Sequence, residues 1–256
     1  MPNRRESKEA KKRNVKLVIE FDGTDFAGWQ VQPGMRTVQG AVEEAISRVT
    51  GEKARLTGSG RTDSGVHAAA LVANFHTQTN LAASRLVSAI NANLDRDVAV
   101  LSAEDVSCSF HATRNAKGKL YRYRMSRRPV RPVIDRRYSW WVRGPLDVGK
   151  MREAAAYLVG THDFNSFRAE GSIEKNTVRT ITSIEFVESR DCLDICFAGR
   201  GFLYMMLRIV VGTLVKVGKG KTAPGAMADI LAACDRRVAG PTAPPHGLCL
   251  MGVFYH

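Results

Sequence analysis

The chain has 256 residues, enough for one large domain or two ordinary ones with a sizeable core, and its 38 Lys and Arg against 25 Asp and Glu leave a formal charge of +13. That surplus points to a polyanion as partner. The 5 Cys include no C-x-x-C pair and none of the 6 His are spaced as metal ligands, which sets aside a disulfide scaffold and a metal centre and fits a reducing cytoplasm. The most apolar stretch, Phe202 to Val217, is too short for a membrane span and is interrupted by Arg208 and Lys216. No metal, no cofactor and no membrane are expected.

Residues 1–14 are polar and basic, lack the apolar stretch of a cleavable signal, and read as a disordered basic arm. Val15, Leu17, Ile19 and Phe21 then alternate with Lys16 and Glu20 as a half-buried strand. Thr37 is placed to cap a helix over 38–49, whose Val38, Val42, Ala45, Ile46 and Val49 share a face. Short strands near 54–59 and 69–77, a helix over 82–93 and a strand over 98–103 complete the order β-α-β-β-α-β. A second round follows. Strand 119–126 precedes helix 147–159, with Asp147 as cap and Gly160 just past its end. Strands 178–187 and 192–198 form a hairpin. Helix 203–217, a shorter helix from Pro224 and a strand over 248–255 close the chain. The expected fold class is α+β, with two split β-α-β (ferredoxin-like) halves, 15–113 and 114–256, whose antiparallel sheets face a basic cleft.

Between the strands near 54–59 and 69–77 runs Gly58-Ser59-Gly60-Arg61-Thr62-Asp63-Ser64-Gly65-Val66-His67. Its small residues let the backbone turn sharply and approach a ligand, and Asp63 beside Arg61 is a candidate nucleophile held in its ionised form. An aspartate closing a surface turn is the plain alternative. No Gly-Lys-Ser/Thr follows, so the glycines are not a phosphate-binding P-loop. Arg208 sits in a helix with hardly any polar face, so it either reaches water past its neighbours or pairs with an anion, for which Asp63 is a natural candidate.

Residues 114–137 hold ten basic side chains and one acid, and Lys119-Leu120-Tyr121-Arg122-Tyr123-Arg124-Met125 alternates within that segment. Aromatic rings beside cations suit nucleic acid, so Tyr121 is assigned to a base and Tyr123 to the core. The run from Gly160 to Arg168 suits a ligand contact or a loop brace equally well.

In this order the pieces resemble the tRNA pseudouridine synthase A family over essentially the whole chain after the basic arm. The landmarks are Phe21-Asp22-Gly23-Thr24, Gly28-Trp29-Gln30, the Gly60–His67 element, Asn91-Ala92-Asn93-Leu94, Phe110-His111-Ala112, Tyr121-Arg122-Tyr123, Asp163–Arg168, Met206–Gly212 and Gly247-Leu248. The resemblance implies isomerisation of uridine to pseudouridine at positions 38, 39 and 40 of the tRNA anticodon arm by a homodimer without metal or cofactor. It implies Asp63 as nucleophile, Arg208 as its partner, Tyr121 packed on the target base, Arg61 displacing and positioning the nucleotide, and Leu248 touching the base. Phe167 and Arg168 are expected to bind substrate. Two positions depart from the family pattern: Thr113 stands where arginine is usual, and Asp95 where proline is usual.

Overall fold

The computed structural model describes residues 12–172 and 174–256. The chain runs through β1 (Arg13–Phe21), α1 (Val38–Thr50), β2 (Thr57–Gly58), β3 (His67–Thr77), α2 (Ala83–Asn91) and β4 (Val98–Val106). It continues with β5 (Gly118–Ser126), β6 (Trp140–Trp141), α3 (Val148–Ala156), β7 (Gly160–Asp163), β8 (Val178–Glu188), β9 (Cys192–Gly199), α4 (Met206–Gly218), α5 (Ala226–Ala232) and β10 (Leu248–Phe254). The class is α+β, as expected.

Local chemistry accounts for these elements. The Thr37 hydroxyl accepts from Gly40 N at the start of α1, and Gly51 ends it in the left-handed region, where a side chain would be strained. Val38, Val42, Ala45 and Ile46 are buried, so the apolar face read from the spacing is the packed one. In β1 the alternation likewise buries Val15, Leu17, Ile19 and Phe21. The Asp147 carboxylate accepts from Lys150 N and caps α3.

The strands pair in the order β4-β1-β3-β10-β5-β9-β8-β7, with β2 on β3 and β6 on β5. Within this, β4-β1-β3 carrying β2 and β10-β5-β9-β8 follow the same plan, so each half repeats a split β-α-β unit. The halves join in one sheet through a parallel pairing of Cys249 with His67 and Leu250 with Ala68. The physical reason is the brevity of β2. It covers only Asn74 and Ala73 of β3, so the His67–Ala68 end keeps an open hydrogen-bonding edge that β10 takes up.

Other boundaries move for similar reasons. Helix α4 begins at Met206 rather than 203, because Met205 has φ 58 and cannot continue a right-handed helix backward. Gly160, expected just past the end of α3, opens β7 instead. Arg13 and Asn14, expected in the basic arm, belong to β1, and Arg13 pairs with Asp105 of β4 at 2.6 Å; residues 1–11 lie outside the described residues. Among the described residues no helix is long and apolar enough to cross a membrane.

Candidate active site

Asp63 lies in the loop between β2 and β3, close to where the two halves meet. Its own carbonyl accepts from Val66 N at 3.1 Å, the Thr62 carbonyl accepts from Trp29 N at 3.2 Å, and Ser64 Oγ donates to the Phe26 carbonyl at 3.1 Å. Gly65 completes the turn at φ 76, a conformation side chains rarely adopt. The loop is therefore held by its own backbone and by the 26–29 segment.

Arg208 approaches from α4 in the other half. Its Nη1 donates to Asp63 Oδ2 at 3.0 Å and its Nε donates to the Ala243 carbonyl at 2.8 Å. The two side chains are only 11% and 15% exposed, which makes this a largely dry ion pair. Burial pushes the Asp63 carboxyl up, and the Arg208 hydrogen bond and charge pull it back down without cancelling the rise. Arg208 favours the ionised form, as the sequence reading expects of a paired cation, while desolvation is the larger influence.

A cavity of about 570 Å³ opens in front of Asp63, walled by Arg61, Tyr121, Phe202 and Leu248 among others. Tyr121 is buried and meets the edge of Phe202 with ring centroids 5.4 Å apart. Burial and the nearby Asp63 charge raise its phenol well above the usual tyrosine value, so it stays a neutral O–H. The arrangement is the Asp63 carboxylate facing a hollow of mixed apolar and polar walls with a ring alongside. The hollow is large enough for one nucleoside. No group of His, Cys, Asp or Glu suited to hold a metal ion occurs among the described residues.

The tRNA pseudouridine synthase family model matches residues 17–113 and 154–256, which include Asp63, Arg208 and Leu248. The chain belongs to that family. It is 45% identical over 243 residues to tRNA pseudouridine synthase A 2 of Clostridium perfringens, covering 95% of this chain and 100% of the relative. It is likewise 45% identical to tRNA pseudouridine synthase A of Thermoanaerobacter sp. strain X514, and 46% identical to that of Pelobacter propionicus, with the same coverage in each case.

Within this member of the family, Asp63, Arg61, Tyr121 and Leu248 border one cavity and Arg208 reaches Asp63 from behind. Phe167 does not join them. It is fully buried against Phe164 and leaves the cavity walls to others, so its substrate role is corrected to a core one. Arg168 also stays off the walls; it donates to the Glu174 carbonyl at 2.6 Å, and Glu174 itself lines the cavity with Gly171 and Ser172. Tyr123 is core as expected, its hydroxyl donating to the Pro244 carbonyl at 2.8 Å.

The basic cluster contributes less than its charge implied. Strand alternation turns Arg122 and Arg124 away from Tyr121, and Arg124 is spent on Asp194 at 2.7 Å. Arg127 pairs with Glu188 at 2.9 Å. Of the ten, only Lys119 lines the cavity. The departures from the family pattern have local roles. Thr113 donates from Oγ1 to the Gly58 carbonyl at 2.6 Å, pinning the strand before the Asp63 loop. Asp95 pairs with Arg36 at 2.8 Å, whose guanidinium lies 4.0 Å from the Phe26 ring centre. Phe202 and the Ala243 carbonyl were not foreseen. Both sit in irregular segments whose local pattern carries no sign of the contact.

Proposed function

We propose that this protein isomerises uridine to pseudouridine at positions 38, 39 and 40 of the tRNA anticodon arm, with Asp63 as the nucleophile. The single observation that carries the reading is Asp63 held at 3.0 Å by Arg208 at the wall of a nucleoside-sized hollow. The reaction breaks the N1–C1′ bond, turns the uracil, and joins C5 to C1′ while C5 gives up its hydrogen and N1 gains one. Atoms and electrons balance within the nucleotide, so no redox partner is consumed.

A stacked base is out of reach of a recessed carboxylate, so the nucleotide swings out first, at a cost of a few kcal/mol. Tyr121 and Leu248 offset this by packing on the base, and exposed Arg61 holds the displaced nucleotide at the cavity edge. The Asp63 carboxylate then attacks C6 of the ring or acts at the sugar, and either route divides one high barrier into two lower ones. Arg208 fixes the carboxylate's direction and favours its charged form. Action as a homodimer in the cytoplasm belongs to the same reading, and sedimentation equilibrium tests the dimer.

The direct test is to incubate unmodified tRNA with the purified protein and map pseudouridine at nucleotide resolution. The reading expects new pseudouridine at 38–40. Modification elsewhere would make the protein a synthase for other uridines, and tight binding with no modification would make it a non-catalytic RNA-binding relative.

A further inference from the structure

The cavity contains a second set of polar groups that the reaction as described leaves idle. Lys119 stands two residues before Tyr121 on β5, so both side chains project from the same face of the strand. Its ammonium lies over the catalytic loop at Gly60, where an added β-carbon would stand 2.5 Å from Nζ. With glycine there, the end of the lysine occupies that space without being displaced. Burial, with no neighbouring charge to offset it, holds Lys119 below the usual lysine range. On either side of Gly60, Ser59 Oγ and Thr62 Oγ1 are buried and have no hydrogen-bond partner. Ser59 is 0% and Thr62 7% exposed, and both line the cavity with Lys119. The one other acid on these walls, Glu174, is engaged by Arg179 at 3.3 Å.

One partly desolvated cation and two idle hydroxyls, with Asp63 already taken by Arg208, form a cluster of donors that lacks an acceptor. Leaving the two hydroxyls dry and unpaired and the ammonium partly desolvated costs stability, and an arriving anion offsets that cost. A neutral uracil carbonyl supplies no charge to the lysine. A phosphodiester supplies one negative charge and two non-bridging oxygens, which matches the set.

We infer that Lys119, Ser59 and Thr62 form a subsite for a backbone phosphate adjoining the extruded nucleotide, separate from the Asp63–Arg208 pair. This rests on the reading of the cavity as a nucleotide site in an RNA-modifying enzyme. The subsite anchors the flipped nucleotide by its backbone while the carboxylate works on the ring. Its contribution is equal before and during the chemical step, so it governs binding more than turnover.

The test uses the full-length protein and anticodon-arm RNAs carrying a single neutral methylphosphonate on the 5′ or the 3′ side of the target uridine. The wild type is expected to bind one of the two roughly tenfold more weakly than the all-phosphate RNA, as for one charged hydrogen bond. Lys119→Met is expected to bind the all-phosphate RNA about tenfold more weakly and to be indifferent to that methylphosphonate. Its salt-dependence slope should fall by about 1. The loss shows in KM rather than in kcat, and Lys119→Arg restores most of the affinity. Wild-type indifference to both methylphosphonates overturns the subsite, whatever the variant does. A loss of kcat at unchanged KM overturns it too, by placing the ammonium on the base. Failure of the wild type to make pseudouridine would instead sink the isomerase reading, and the methylphosphonate binding comparison would still decide the subsite.

Discussion

Arg208 and Asp63 are 145 residues apart in the chain and 3.0 Å apart in space, one on a helix of the second half and the other on a loop of the first. The pair is tethered on both sides. The Ala243 carbonyl fixes the guanidinium through Nε, and backbone bonds hold the loop that bears the carboxylate. Correct placement of the carboxylate therefore depends on the two halves being joined, which the β10–β3 pairing secures a few residues away.

Acid dependence follows from the balance at Asp63. Burial raises its carboxyl above the ordinary aspartate value of 3.8, and Arg208 lowers it part of the way back. The reactive form is the carboxylate, so kcat falls as pH drops through that raised pKa. Removing the cation in Arg208→Met leaves burial unopposed, and the acid limb of the kcat–pH profile should move to higher pH. Arg208→Lys keeps the charge without the two-armed geometry and should move it less. For stability the sign is the reverse of a paired surface acid. The folded chain binds the Asp63 proton more tightly than the unfolded one, so this group's contribution declines as pH rises between the two pKa values. Profiles of kcat against pH for the three proteins check the first expectation, and an acid limb unmoved by Arg208→Met would contradict it.

Tyr121 is expected to act through its ring, which already meets Phe202 edge-on at 5.4 Å. Tyr121→Leu removes the stacking surface and should cost roughly 1–3 kcal/mol in kcat/KM. Tyr121→Phe keeps the ring and should lose less. Steady-state kinetics on one tRNA separates the two, and equal losses would shift the weight to the hydroxyl.

Thr213 supports the site from within the core. Its hydroxyl donates to the Ile209 carbonyl and accepts from Gly240 N, both at 2.8 Å, and so holds the segment that leads to Ala243. Thr213→Val strands a buried N–H, at a cost of about 1–3 kcal/mol. The melting temperature should fall by roughly 2–4 °C for each kcal/mol lost. Calorimetry checks this, and an unchanged midpoint would show that the bond is dispensable.

The legible parts of the molecule were those with a local physical signature. The cap and apolar face of α1 appear because Thr37 and a 3.6-residue spacing each leave a mark in a short window. Arg208 stood out because a cation inside an apolar helix needs a counter-charge. Strands β6 and β7, two and four residues long, are too short to show a period. The joining of the halves depends on an edge left open by the brevity of β2, a relation between distant segments that no window contains. An aromatic in a polar run, as at Phe167, reads the same whether it faces a ligand or the core. Lys119 was hidden among nine other cations. Its place on the cavity wall over Gly60 sets it apart.

The most direct measurement is tritium release from tRNA labelled at C5 of uridine, for the wild type and Asp63→Asn side by side, with tRNA affinity measured on the same preparations. The wild type should release tritium from the 38–40 uridines, while Asp63→Asn should release none and bind tRNA within about twofold of wild type, since the substitution removes a charge and changes little volume. Appreciable release by Asp63→Asn would contradict the account.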